Sequence, residues 1–588
     1  MARSKQQLAR LIRGALGEVK ADLMVSGGKL INVYSGEILE GVEIAVLDGR
    51  ICYVGSTAKH TRGEHTEVLD ASGCYISPGF IDGHTHIGHY VRPFENLQSF
   101  LPHGTTSLVA SCDELSSVLG LRGLKLFLDE VEKHPLRVYT LVSMAAPQDP
   151  LLCSTAEFTN EEIAAALDDA RVLGMGEIVS WLRLTQCDDE LLARLELASR
   201  RGQIVHGHTA GARDQKLCAV AATGISSCHE PIRFEDALER LRLGYWTMLR
   251  EGSLRQDLAT TLPELLASGV SLQRLILVTD SMTPDDVAEH GHMDHVVRRA
   301  VALGLSPLQA IQSVTLNPAV YSGIEQDVGG IAPGRFADLA LLDDLDPCHV
   351  REVRVAGKRV AGNGVSEFHG EAMALPQDLL CSLRVGLPIS HAVFKIAAPR
   401  ANPKVRVMEL VNQTITAQRI VEFNAANGFV EASLYDDILK VAMFDRHGRS
   451  PQVAFGFLNG FGAKVGAVGL TTNLDENTLM IVGSDDADMA RCANVLLEVG
   501  GGMAIVDGGQ VVEKLEFPVG GIFSLLPWQE IGTGMRRIQG CLKEMGSSLD
   551  KPIFALNFLP FVTLPALRIT ARGLVNAKER RIVPLFAD

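Results

Sequence analysis

Between residues 76 and about 322, apolar runs of strand length alternate with stretches that read as helices. The runs are Ile76–Ile81, Thr105–Ala110, Val138–Met144, Gly176–Trp181, Ile204–His208, Ile225–His229, Tyr245–Leu249 and Leu275–Thr279. Amphipathic stretches such as Glu161–Leu173, Asp189–Arg200 and Phe234–Leu243 separate several of them. Eight β-α units over roughly 250 residues have the size and rhythm of a (β/α)8 TIM-type barrel. In such a barrel the chemistry gathers at the C-terminal ends of the strands.

The remainder divides around this block. Residues 1–75 carry short β-rich runs, among them Leu30–Tyr34, Val42–Val46 and Ile51–Val54, with Asp48-Gly49 as a hairpin turn. Strand character returns over 330–384, so the two flanks are expected to complete one small β-sandwich around a barrel at 76–329. Residues 385–588 read as a separate C-terminal α/β domain, with Asp485–Leu497 as a capped helix and Asp507-Gly508-Gly509 as a turn between two strands. The overall class is therefore α/β, and 588 residues are too many for one core.

The ends of the barrel strands carry the chemistry. The first run is followed by His84 and His86, which share a face because strand residues alternate. Glu177 belongs to the fourth run, His206 and His208 to the fifth, His229 and Glu230 to the sixth, and Asp280 to the eighth. One H-x-H is weak; imidazoles and carboxylates arriving from five strands form a metal-ligand set. His84 and His86 suit one divalent cation, His208 and His229 a second, and Glu177 is placed to bridge them, with His206 as a structural neighbour. A bound cation lowers the pKa of water from roughly 15.7 to about 7, and Asp280, at the last strand, is placed to move its proton. His290, His292 and His295 read as a solvated loop. His103 precedes the second strand, at the wrong end for chemistry. No phosphate-binding G-x-x-x-x-G-K-[ST] and no G-x-S-x-G elbow is present.

Ser77-Pro-Gly-Phe-Ile-Asp-Gly-His-Thr-His86, followed along the chain by His208, His229 and Asp280, resembles the amidohydrolase superfamily. Many binuclear members bridge their metals with a carboxylated lysine on the fourth strand. Here no lysine stands between Lys133 and Lys216, and Met175-Gly-Glu177 takes that place. This resembles the adenine deaminases, as do Pro102–Thr106, Gly207–Gly211, Leu249–Ser253, Val482–Met489 and Pro518–Ser524. The resemblance implies hydrolytic deamination of adenine to hypoxanthine and ammonia. It implies two divalent metals per subunit (Mn, Fe or Zn) on His84, His86, Glu177, His208, His229 and Asp280.

Asp280 is then the proton shuttle, and Glu230 or Glu114 the acid that protonates the ring. Arg250, Glu251, Ser253 and Asp113 are the candidate substrate contacts. Two departures stand out: Asp113-Glu114 where the family has His-Glu, and Leu474–Asn477 where it has H-D-S-H. The alternatives on the same scaffold are another aminopurine or a cyclic amide; a non-catalytic scaffold is disfavoured because every ligand position is filled. The net charge of -15 argues against nucleic acid. No apolar run long enough to span a membrane, no secretory signal and scattered cysteines without C-x-x-C point to a cytoplasmic enzyme. Its substrate is then a free base, and a homo-oligomer is the usual form of such enzymes.

Overall fold

The computed structural model describes residues 3–386, 388–448, 453–474 and 476–587. Asp475, within the Leu474–Asn477 departure, lies outside the described residues.

Eight parallel strands build the barrel: β1 (Phe80–His86), β2 (Thr105–Ser111), β3 (Arg137–Val142), β4 (Val172–Ile178), β5 (Ile204–Gly207), β6 (Ser227–Cys228), β7 (Trp246–Arg250) and β8 (Leu275–Val278). Strands β1 to β5 form one parallel ladder and β6 to β8 another. Side chains and one backbone bridge join the two. Between β5 and β6, the Tyr321 hydroxyl donates to Ser227 Oγ at 2.7 Å and reaches Val205 O at 3.4 Å. Between β8 and β1, Thr85 and Asp280 form a parallel bridge. Buried Asp82 on β1 secures that seam, accepting from the Thr279 hydroxyl at 2.5 Å and the Thr279 amide at 3.2 Å. The strands are buried on both faces, which is why they read as near-continuous apolar runs.

Two strand positions differ from the sequence expectation. The run Ile76–Ile81 is two strands: Tyr75–Pro78 pairs in the sandwich, and only Phe80–His86 enters the barrel. Gly79 marks the crossing, where a Cβ would sit 2.2 Å from Thr106 Oγ1. The fourth strand is Val172–Ile178 rather than Gly176–Trp181, and the helix before it ends at Leu167. Gly174 and Gly176 lower the apparent strand character there. Yet each lies so close to its neighbours, Ile204 O and Ser111 Oγ, that no side chain fits.

The flanking segments do combine. Strand Leu339–Leu342 runs antiparallel to Tyr75–Pro78, giving a seven-stranded sheet that faces a four-stranded one from the N-terminal segment. Leu23, Val25, Ile44 and Val46 pack against Leu30, Ile76, Leu339 and Leu341 between them. The C-terminal part is β-rich, built on an eight-stranded sheet. Helix Asp486–Glu498, whose N-cap Asp485 accepts from the amides of Ala487 and Asp488, covers one face. Helices Trp528–Glu544 and Pro552–Asn557 contribute to the core on the other.

This part is joined to the barrel through buried contacts. Strand Phe523–Ser524 pairs with Tyr90–Val91, Asn557 bonds the Tyr90 hydroxyl at 2.5 Å, and the Thr570 hydroxyl donates to Leu152 O at 2.7 Å. Glu476 accepts from the Ser154 amide at 2.7 Å. His292, expected in a solvated loop, is instead fully buried, stacked on Phe100 and bonded to Thr105 Oγ1 at 2.8 Å. His103 pairs with Asp294, 3.3 Å away. Among the described residues no helix is long and apolar enough to cross a membrane.

Replacing Thr279 by Val keeps the shape of the β1–β8 seam and removes the shorter of its two bonds to Asp82. The expected loss is about 1–3 kcal/mol, the usual consequence of stripping a partner from a buried carboxylate, read as a lowered denaturation midpoint.

Candidate metal centre

The centre sits where the β1–β8 seam opens at the C-terminal ends of the strands. The backbone of Asp280 lies between the two histidines of β1: its amide donates to His84 O at 3.1 Å, and its carbonyl accepts from the His86 amide at 2.8 Å. To do so it takes a left-handed conformation, φ 63°. That strain is tolerated by a short polar side chain and is concentrated at functional positions. The result aims the Asp280 carboxylate inward, with Oδ1 3.5 Å from His84 Nε2 and 3.7 Å from His86 Nε2.

Glu177 on β4 faces the same point. Its Oε2 is 2.8 Å from His229 Nε2 and 3.8 Å from His84 Nε2, and its Oε1 is 3.7 Å from His86 Nε2. His208 Nε2 lies 3.3 Å from Glu230 Oε1, which is 3.7 Å from His229 Nε2. Four overlapping groups therefore have ligand atoms within 4.8 Å of one another: His84, Glu177 and His229; His84, His86 and Asp280; His208, His229 and Glu230; and His86, Asp113 and Glu177. All six expected ligands converge. His206 belongs to none of these groups and abuts His84, Nδ1 to Nδ1 at 3.2 Å, as a structural neighbour.

The donor set fits a divalent cation. His84 Nε2 is buried, has two carboxylate oxygens at 3.5 and 3.8 Å, and hydrogen-bonds to neither. A buried polar atom left this way needs a partner, and a cation among these donors would supply one. Burial and the adjacent His229 pull the His84 pKa down to about 4, so its imidazole is neutral. The carboxyls of Glu177, Glu230 and Asp280 are held below their ordinary range. Burial works against ionisation in each, and surrounding histidines, with Arg250 for Glu230 and Asp280, outweigh it. His86 and His208 go the other way. Against the effect of burial, Asp113, Glu114 and Glu177 raise His86, and Glu230 with Glu177 raises His208 to about 9.

Beside the cluster, Arg250 at the end of β7 is buried among carboxylates, bonded through Nε and Nη1. It pairs with Glu230, with Asp257 at 2.8 Å and with Asp280 at 3.2 Å. Asp113 sits 3.2 Å from His86 Nδ1 and accepts from Ser143 Oγ at 2.5 Å, the position of an outer carboxylate that orients a ligand imidazole. Glu114 borders the cavity, and burial raises its carboxyl to about 7. The structure does not bring Glu251 or Ser253 to the cavity. Glu251 faces Arg299 at 3.2 Å, and Ser253 ties the loop to Thr283 at 2.8 Å. Gly252 between them passes so close to Thr279 O that a Cβ would lie 1.9 Å away, so this triplet shapes the β7–β8 junction.

A cavity of about 370 Å³ lies over the centre, and one wall of it is C-terminal domain. Thr414, Leu564, Phe558 and Phe561 face the ligands across it, with Phe561 6.4 Å from the His208 ring. Buried His89, bonded to Thr472 O at 3.1 Å, lines it too. The sequence reading named none of these. A solitary phenylalanine in a loop carries no periodic signal, and only the fold places it over the barrel.

A parallel barrel whose mouth gathers histidines and carboxylates in this order is that of a metal-dependent amidohydrolase, and a model described as amidohydrolase family matches residues 75–360. A second, described as adenine deaminase C-terminal domain, matches residues 413–581. The adenine deaminase of Moorella thermoacetica is 38% identical over 98% of this chain and 97% of its own. That of Cenarchaeum symbiosum is 37% identical over 99% of this chain and 95% of its own. The crystal structure of an adenine deaminase aligns with 58% of this chain and 100% of its own at 17% identity, TM-score 0.46. The chain belongs to the adenine deaminase family.

His86 and His208 must each release a proton before they can ligate. Metal uptake by the metal-free protein is therefore expected to release protons and to tighten as pH rises from 6 to 8. Calorimetric titration in buffers of different ionisation enthalpy measures this.

Proposed function

We propose that the chain catalyses the hydrolytic deamination of adenine: adenine and water give hypoxanthine and ammonia. The observation that carries this reading is the glutamate, Glu177, at the meeting point of the histidines, in a chain related over nearly its whole length to adenine deaminases. His84, His86 and Asp280 would hold one divalent cation and His208 and His229 a second, with Glu177 between them. Imidazole and carboxylate suit manganese, iron or zinc. The metal, when bound, supplies an acidified water at neutral pH.

The remaining work falls to side chains. Asp280, ionised, accepts the proton of the attacking water and passes it to the departing amine at C6. A ring nitrogen must be protonated as C6 becomes tetrahedral, and the acid that gives this proton recovers one from the C6 hydroxyl as the carbonyl of hypoxanthine forms. Between the two candidates, Glu114 fits this better. Burial keeps its proton near neutrality, whereas Glu230 is ion-paired with Arg250 and anionic. Glu230 then acts as an acceptor that orients the base, and Arg250 holds Glu230 and Asp280 in place. Asp113 orients His86. Phe558 and Phe561 supply an apolar wall for the flat base and exclude bulk water. The acidic chain, at net charge -15, is read as a cytoplasmic homo-oligomer acting on the free base rather than on nucleic acid.

Ammonia release from adenine, abolished by chelation and restored by manganese, tests the reading, with adenosine and a cyclic amide as controls. Release from the cyclic amide but not adenine would contradict it. Asp280→Asn is expected to cut kcat by about 10³-fold or more and Glu114→Gln by about 10²-fold, the range general acid–base groups contribute. Near-normal turnover in Asp280→Asn would remove it from the proton path.

A further inference from the structure

The cavity roof has no regular structure of its own. Residues 411–415 are the turn of the hairpin between strands Lys404–Leu410 and Thr416–Glu422, where Asn412 Oδ1 accepts from the amides of Thr414 and Ile415. Residues 558–566 are irregular turns between helix Pro552–Asn557 and strand Leu567–Thr570. One side chain bonds both segments. Arg568, from strand Leu567–Thr570, donates through Nη1 to Phe558 O at 2.9 Å and through Nη2 to Thr414 O at 2.8 Å and Pro565 O at 2.5 Å. Its Nε donates to Leu564 O at 3.1 Å. All four acceptor residues line the cavity. Two residues on, on the same face of the strand, Thr570 bonds the barrel loop at Leu152 O. One strand thus ties the roof to the barrel.

The four acceptors suit an arginine. Arg568 is completely buried, and its partners are neutral carbonyls; burial alone displaces its pKa, down to about 9. An unpaired buried cation is a costly way to stabilise a fold, and an apolar side chain of similar volume usually does better. What the guanidinium provides is a planar fork of five N–H groups that can hold four carbonyls in fixed relative positions, where an ammonium has three donors around one point.

We propose that Arg568 is a positioning residue for the deamination site, setting the Phe558–Pro565 and Thr414 walls against the metal centre so that the base binds in one orientation. The inference rests on the activity proposed above. It predicts a loss in substrate binding without loss of metal. In Arg568→Met, KM for adenine should rise by roughly tenfold or more with kcat within about threefold, the signature of lost uniform binding. Metal content should stay unchanged and Arg568→Lys should be intermediate. Hydrogen exchange should quicken in peptides covering 412–416 and 558–566 while 204–208 stays protected. Native KM and native exchange in Arg568→Met would overturn the proposal. So would failure of both variants to fold, which would make Arg568 a stability element. If the native chain does not turn over adenine, the activity reading fails by itself, and the exchange pattern alone decides the role of Arg568.

Discussion

The β1–β8 seam is the constraint on which the site depends. Asp82 holds Thr279 by side chain and backbone, and the next residue, Asp280, is inserted between the carbonyl of His84 and the amide of His86. The same hydrogen bonds that close the barrel therefore set three of the six proposed metal ligands. A shift of the seam by one residue would turn both histidines to other faces. The left-handed backbone at Asp280 is the local cost of that arrangement, and the buried bonds around it offset the strain.

Around this seam the electrostatics sort the residues into roles. Neutral His84, anionic Glu177 and anionic Asp280 stand in the states a cation requires. Arg250 is the counterweight: three carboxylates, Glu230, Asp257 and Asp280, converge on one buried guanidinium. It is the largest influence that keeps Glu230 ionised, and it adds to the histidines that act on Asp280. A second buried guanidinium, Arg568, does the opposite task on the opposite wall, binding only carbonyls and shaping the roof. The C-terminal domain is in this sense part of the site, since the cavity has no far wall without it.

Much of this was legible in the sequence. The β-α rhythm gave the barrel, and the strand-end histidines and acids gave the cluster, because a strand's last residues must point into the mouth once the topology is right. The flanking β segments were legible as halves of one sandwich because neither half has enough strands to bury its apolar face. The misreadings have physical causes. Gly174 and Gly176 disguised the fourth strand, since close packing there excludes the side chains that mark a strand. The run across Pro78-Gly79 looked continuous because apolar residues serve both the sandwich and the barrel. Glu251 and Ser253 looked like substrate contacts from their place after β7, but Gly252 turns that triplet against Thr279 and away from the cavity. His292 looked solvated beside His290 and His295, yet it is buried against Phe100. The roof was invisible, because Phe561 and Thr414 meet the barrel and Arg568 only through contacts more than a hundred positions distant in the chain.

In the proposed reaction, water activated at the seam between β1 and β8 replaces the amine of adenine. The most direct measurement is turnover of adenine by the metal-loaded chain in oxygen-18-labelled water, with mass spectrometry of the purine product. The account predicts hypoxanthine carrying one labelled oxygen at C6. Unlabelled hypoxanthine, or adenine recovered unchanged from protein shown to contain its metal, would contradict it.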